Sequence, residues 1–539
     1  MDFFALILFL ALYYVRPQEW TPFFDTLHPI QLLSILALWA MIQTGKLRPR
    51  DLVRTPLDWL VLLYFIWTLI AGFQFRRSLG EIQAVLLFYF VAVRSLDSIS
   101  RQKRFLAWWC FFIVLISGLA IASLYGIDPL NSNELTQGPM KGRLVLNLSI
   151  FNNPNALAHS VIPAVPLIYY LFVWRRVAAK AVFVTMAIPV YCILLTQSKG
   201  AFLSGFATLL ATLTFGRSKI WQVLVLVMAI AFGYGALYSL PRMNELRNSK
   251  SDPAIQGRIA AFSYGLHLMR SYSFGIGLGN FEESFLRDGP MEKHVVVRNA
   301  STGNGNPNRD TDEEAAPAQH RIDIWAHYVK ATHSAYNQNG AELGYTGLFL
   351  FVGLLYCCVR TLLLMKCETT DEERIRRALF ALVVAYAVSS WMVDFGYRPT
   401  FFLFIAAISG LHRHFLKKQD ESEQPAGTEL VPKLPPWLRR PRPVQMPGLS
   451  MPGLAGLPMP GVAASGIGAQ TLAATPIPGT VYARLPGSGR ILPWHAQPEP
   501  RNPLRPKFLW TRLGITDFLI ILALTYVAIR YWQHIIATM

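Results

Sequence analysis

The feature that most constrains this chain is a series of apolar runs as long as a bilayer is thick. "LDWLVLLYFIWTLIAGF" from Leu57, "IWQVLVLVMAIAFGYGALYSL" from Ile220 and "GLFLFVGLLYCCVRTLLLM" from Gly347 each approach or exceed the roughly 18 apolar residues that a spanning helix needs. With 53% of its 539 residues hydrophobic and only 15% charged, the chain is too apolar for an ordinary soluble domain. Backbone polar groups in hydrocarbon must satisfy one another, so runs of this length predict helices. The expected fold class is an all-α polytopic membrane protein. Apolar length and turn signals place about twelve spans before residue 416, at 2–15, 29–43, 57–75, 80–95, 105–124, 155–174, 177–196, 200–215, 219–239, 341–365, 376–393 and 399–412, with one more at 514–533. The first two are short and read as partial or tilted. "FFALILFLALYYV" lacks a basic flank and a small-residue cleavage site, so it reads as a retained span and not as a signal peptide.

The formal charge of +18 would suit a nucleic-acid binder. Its distribution argues otherwise, because basic residues between spans orient a membrane protein. "GKLRPRDLVRTP", "RSLDSISRQKR", "WRRVAAK", "GRSK", "MKCETTDEERIRR" and "HRHFLKK" all fall on one face of the predicted spans, which the positive-inside rule makes cytoplasmic, with the N-terminus inside. The five cysteines lie in or beside apolar runs without metal-ligand spacing, so neither a disulfide framework nor a zinc site is expected.

This layout divides the chain into N-terminal spans (1–124), central spans (125–239), an external loop (240–340), C-terminal spans (341–416), a Pro/Gly-rich linker (417–510) and a terminal span (511–539). The linker's irregular "MPGL" repeats read as disordered and cytoplasmic. Within the loop, "NASTGNGNPNRDTDEEAAPAQ" reads as a mobile insertion. Its Asp310-Thr311-Asp312 triplet has the composition of a Mg²⁺ site, but in such a segment it reads as a solvated acidic patch, and no metal is expected.

Basic residues on the external face are not needed for topology and so carry information. They are Lys199 in "LLTQSKGAFLSG", Arg258 in "QGRIAAFSYGLHLM", Arg76 and Arg77 in "FQFRRSLGE", and Arg398 in "DFGYRPT". Singly, each suits a lipid head group. Several converging on one pocket would suit a phosphate-bearing substrate. In "ATHSAYNQNGAELGYTGLFLFVGLLY", polar residues precede an apolar run. At 100° per residue His333, Asn337, Gly340, Gly344 and Gly347 share one stripe, with Glu342 on the opposite side. That stripe reads either as a small-residue packing face with a capping histidine or as the mount of a neutral imidazole able to act on a hydroxyl. "FNNPNALAHSVIP" places Asn152, Asn153, Asn155 and His159 at the external start of a span; Asn-Pro explains the turn, and the amides would also suit a sugar. "GIGLGNF" lacks the strand-to-helix context of a dinucleotide site.

In their order, "IFNNPNALAH", "TQSKGAFLSG", "GRIAAFSYGLHLMRSYSFGIGLGNF" and "HSAYNQNGAELGYTGLFLF" resemble the motifs of the O-antigen ligase and polymerase superfamily of bacterial envelope glycosyltransferases, over roughly residues 145 to 410. The resemblance implies an enzyme of the bacterial inner membrane with a periplasmic active site. It implies a glycan donor carried on undecaprenyl pyrophosphate, a glycan, glycolipid or protein acceptor, and no metal or cofactor. It further implies that Lys199 and Arg258 hold the pyrophosphate and that His333 acts on the acceptor hydroxyl, with Asn155, Asn337, Glu342, Arg76, Arg77 and Arg398 as supporting candidates. Lys199 stands where the family usually has arginine; it keeps the charge and loses the bidentate fork. Ligase, polymerase and protein O-oligosaccharyltransferase share this chemistry. A transporter of lipid-linked glycans is the alternative from another class, and it would call for repeat symmetry between halves that the sequence does not display.

Overall fold

The computed structural model describes residues 2–27, 29–43, 53–175, 177–239, 253–290, 292–299, 319–326, 331–423, 482–484, 491–493, 510 and 512–538. It forms two compact units, Met1–Lys417 with Phe508–Met539 and Lys418–Lys507. Among the described residues of the second unit, Tyr482–Arg484 pairs antiparallel with Ile491–Pro493, and the helix Pro399–Glu423 continues past the expected boundary at 416.

A helix stands at each position read as a span. Among the described residues six of them, Pro56–Phe73, Phe75–Ser95, Ile99–Ser123, Pro154–Val173, Ala335–Leu364 and Ile515–Thr538, are long and apolar enough to cross a membrane. Others are shorter, such as Asp2–Val15 with 14 residues and Lys199–Thr214 with 16. Thr370–Ser389 begins with three acidic residues, Asp371, Glu372 and Glu373, before its apolar stretch. Two spans are irregular. Pro154–Val161 is followed by Ala164–Ile168 and a π turn at Tyr169–Val173, and the next opens as a 3-10 helix at Val177–Met186 before Ala187–Thr196. Pro163 and Pro166 account for the first interruption, since proline cannot donate in a helical ladder.

Aromatic stacking fills much of the core, as in Phe9 on Phe88 at 3.8 Å and Tyr386 on Phe401 at 4.5 Å between ring centres. At the end read as cytoplasmic, buried Asp58 accepts from the Thr55 amide at 2.8 Å, the Tyr89 hydroxyl at 2.8 Å, the Ser409 hydroxyl at 2.6 Å and the Arg413 guanidinium at 2.7 Å. A buried carboxylate is tolerable only when its lone pairs are so satisfied. The network joins the helices that begin at Pro56, Phe75 and Pro399.

The most consequential element is Ala335–Leu364. Residue Gly344 has φ 70 and ψ −171, outside any helical region. In an unbroken helix Tyr336 and Phe351 would stand about 22 Å apart at 1.5 Å per residue. Their ring centres are 5.2 Å apart. The first limb, 335–343, therefore folds back beside the second, and Gly347 packs on Leu343 and the Asn339 carbonyl of that limb. The expected single stripe is corrected accordingly: Asn337, Gly340 and Gly344 share a face, but Gly347 lies beyond the break.

The carbonyls freed at the break find donors in the "GIGLGNF" turn. Ile276 N–H donates to the Ala341 carbonyl at 3.3 Å and Gly277 N–H to the Glu342 carbonyl at 2.9 Å. This is why glycines recur there. Gly275 and Gly277 take φ of 74 and 92, and a Cβ on Gly275 would strike the Glu342 carbonyl.

Part of the segment read as an external loop belongs to the helical body. Pro253–Ser271 packs against both Ala335–Leu364 and the terminal helix. Phe281–Asp288 follows, then the strands Glu292–Asn299 and Gln319–Ala326, paired antiparallel from Glu292 opposite Ala326 to Asn299 opposite Gln319. Residues 300–318, including Asp310 to Asp312, lie outside the described residues.

The terminal helix Ile515–Thr538 is docked and not peripheral. Its Asp517, 1% exposed, is paired with Arg360 and accepts from the Tyr356 hydroxyl at 2.8 Å. Near its other end Trp532, also 1% exposed, stacks on Trp391 at 5.5 Å and lies 6.3 Å from Phe262. The opposite face, with Leu519, Leu522 and Val527 among its exposed residues, suits lipid.

Candidate active site

Three sequence-distant segments meet at the turn Ser389–Val393, which ends the helix Thr370–Ser389. The first is the break between Ala187–Thr196 and Lys199–Thr214. Gln197 closes one helix in the left-handed region (φ 50), and Ser198 caps the next by accepting from the Ala201 amide at 3.3 Å. Lys199 is thus the first residue of its helix. Asn155 locks this turn: its amide oxygen accepts from Ser198 Oγ at 2.8 Å and from Arg143 at 2.9 Å, while Arg143 Nε donates to the Thr196 carbonyl at 3.0 Å. A Cβ on Gly200 would come within 3.0 Å of Met392 and 3.2 Å of His159 Nε2, so the absence of a side chain there lets the break approach both closely.

The second segment is the helix Pro253–Ser271. Half-buried Arg258 donates through Nη1 to Met392 Sδ at 3.4 Å. The third is the approach to the broken helix. His333 holds φ 51 on a non-glycine backbone. Left-handed geometry there costs of order 1–2 kcal/mol, and it persists because the next residues are pinned. Ser334 Oγ donates to the Ser390 carbonyl at 3.3 Å, and Ala335 N–H reaches the Ser390 carbonyl at 2.7 Å and the Val393 carbonyl at 2.9 Å. Lys199, Arg258 and His333 are therefore all mounted on elements tied to one short turn. All three are only partly buried, as groups meant for a ligand should be.

The supporting candidates fall into two kinds. Asn337, fully buried, donates to the Ala261 carbonyl at 3.1 Å and faces Gly265, while Gly340 meets Met269 and Gly344 meets the Ser273 carbonyl. The stripe on the first limb is thus a packing face against the Arg258 helix. It sets the relative height of Arg258 and His333. Glu342 accepts from the Phe281 amide at 3.2 Å and holds the glycine turn in place. Asn337, Glu342 and Asn155 are framework residues.

The arginine pair at 76 and 77 lies elsewhere. Arg77 lies 3.9 Å from Glu283 and lines a separate cavity of about 530 Å³ with Gln74, Phe274, Asn280 and Arg287, and exposed Arg76 adjoins it. Arg398 lies over the Phe395 ring at 4.7 Å.

Sequence reasoning missed the Ser389–Val393 turn, which carries no motif: its roles rest on two backbone carbonyls, a thioether and an indole. Arg143, which fixes the Lys199 break through Asn155 and Thr196, was likewise not among the expected residues. Among the described residues no group of three or more His, Cys, Asp or Glu is placed to hold a metal ion.

Residues 181–352 match the family model described as O-antigen ligase, a stretch that includes Lys199, Arg258 and His333 but ends before the Ser389–Val393 turn. A search of curated proteins finds no match. Over those residues the chain is similar to the O-antigen ligases, and the match supports the resemblance to the O-antigen ligase and polymerase superfamily that the motifs suggest.

Proposed function

We propose that the protein is an inner-membrane glycosyltransferase of the ligase type. It moves a glycan from a polyprenyl-pyrophosphate carrier to an acceptor hydroxyl at the external face, with about twelve spans around the site, one further span after the linker, and the N-terminus inside. The observation that carries this reading is that Lys199, Arg258 and His333, all within the O-antigen ligase match, stand on elements tied to one turn, Ser389–Val393, that follows it in the chain.

The chemistry follows from that arrangement. An acceptor hydroxyl attacks the anomeric carbon from the face opposite the leaving group, so configuration inverts. The bond to the pyrophosphate oxygen breaks with its electron pair, and negative charge grows on the leaving group. Two preset cations in a partly dry site stabilise that charge more than water would. The imidazole of His333 accepts a hydrogen bond from the attacking hydroxyl, orients it and takes its proton as the new bond to the anomeric carbon forms.

Replacing His333 or Arg258 by alanine in protein expressed at the normal level should lower glycan transfer at least a hundredfold, the scale of a lost general base or oxyanion contact. Wild-type transfer by both variants would refute the assignment. A polymerase that joins lipid-linked repeats, or a protein O-oligosaccharyltransferase, would use the same residues and differ in acceptor.

A further inference from the structure

A buried polar relay lies directly behind the cation site, and its polarity can be read atom by atom. Ser204 Oγ donates to the Ala385 carbonyl at 3.1 Å. Having one proton, it must accept at its 2.7 Å contact with Ser389 Oγ. Ser389 therefore donates to Ser204 and accepts at its 2.8 Å contact with His159 Nδ1. The proton of His159 sits on Nδ1, and Nε2 carries a lone pair.

His159 is 3% exposed, and its Nε2 is buried without a hydrogen-bond partner. Leaving such an atom unpaired costs roughly 1–3 kcal/mol, so it calls for a physical reason. Its surroundings suggest one. Nε2 faces Gly200, next to Lys199, and Arg258 lies within electrostatic reach. Met392 crowds the same glycine while its sulfur takes the Arg258 guanidinium. A thioether is a weak acceptor for a guanidinium and a flexible side chain, easily displaced. The ring also borders a small cavity lined in part by Tyr14 and Tyr386.

We propose that His159 Nε2 is a ligand-binding acceptor of the active site, which takes a hydrogen bond from a substrate hydroxyl once Met392 swings aside. A lone pair there repels phosphate oxygens. It needs a donor, and on a glycan that donor is a sugar hydroxyl close to the pyrophosphate. The inference rests on the proposed glycosyl transfer. The hydroxyl belongs either to the first sugar of the donor or to the acceptor, two sources that kinetics can separate.

The test uses full-length protein reconstituted with a lipid-pyrophosphate-linked glycan and a glycolipid acceptor. His159→Asn retains an N–H where Nδ1 was, and hence the bond to Ser389, but has nothing at Nε2. His159→Gln can place a carbonyl oxygen near that position. With thermal stability close to wild type, His159→Asn should lose tenfold or more in kcat/KM, and His159→Gln should recover part of it. A raised KM for the donor alone assigns the hydroxyl to the donor sugar, and a raised KM for the acceptor alone assigns it to the acceptor. If His159→Asn fails to fold, Ser389→Ala, which frees the ring to switch tautomer, should lower kcat/KM while the protein stays folded. Wild-type kinetics in His159→Asn, or in a folded Ser389→Ala when the former is unusable, would overturn the inference. Absence of transfer by the wild-type protein would instead overturn the proposed function.

Discussion

At the scale of single residues, His333 shows how backbone and side chain can be tested apart. Its φ of 51 is one that glycine adopts without steric cost. His333→Gly should therefore match or exceed the wild type in thermal stability while losing transfer about a hundredfold, the share of an imidazole acting on a hydroxyl. A variant of unchanged stability and unchanged turnover would mean that the residue serves only the turn. Lys199 invites the complementary test. Lys199→Arg restores the fork that the family usually has, and it should keep most activity, whereas Lys199→Ala should lose it; comparable kcat/KM in the two would remove Lys199 from the site. Both positions were legible in the sequence because an external basic residue and a polar break before a span each need a reason. Met392 and Ser390 were not legible. A methionine and a backbone carbonyl gain their roles only when distant segments are brought against them.

At the scale of elements, the fold-back at Gly344 decides where His333 sits. A glycine at helical spacing is consistent with close packing and with a chain reversal alike, and periodicity alone cannot separate them. Here both occur: Asn337 and Gly340 pack, while Gly344 packs and turns. The structure ranks two substitutions. Gly340→Ala meets the flexible sulfur end of Met269, which can shift. Gly344→Ala meets the Ser273 carbonyl at φ 70, where neither backbone can yield. Gly344→Ala should destabilise by several kcal/mol or prevent folding, and Gly340→Ala by about 1–3 kcal/mol. Thermal unfolding in detergent measures both, and the reverse order would contradict the reversal at Gly344. The glycine turn at 275–279 was visible as a motif, and its purpose was not, because its hydrogen-bond partners lie more than sixty residues further along the chain.

At the scale of the whole molecule, the helices and their order were readable from apolar length, the terminal helix among them. Its place was not. Trp532 wedges between Trp391, next to Met392, and Phe262, on the Arg258 helix, so an element outside the O-antigen ligase match supports the site. Trp532→Ala should lower turnover more than Trp532→Phe does, with substrate binding impaired alongside; equal, undiminished activity in both would make the helix a mere anchor. The central claim remains glycan transfer from a lipid pyrophosphate. Its most direct test is the state of the lipid-linked glycan in cells lacking the protein. Long chains should accumulate on the carrier at the external leaflet, because polymerisation proceeds and transfer fails. Single repeat units trapped on the cytoplasmic leaflet would contradict the account and identify a transporter instead.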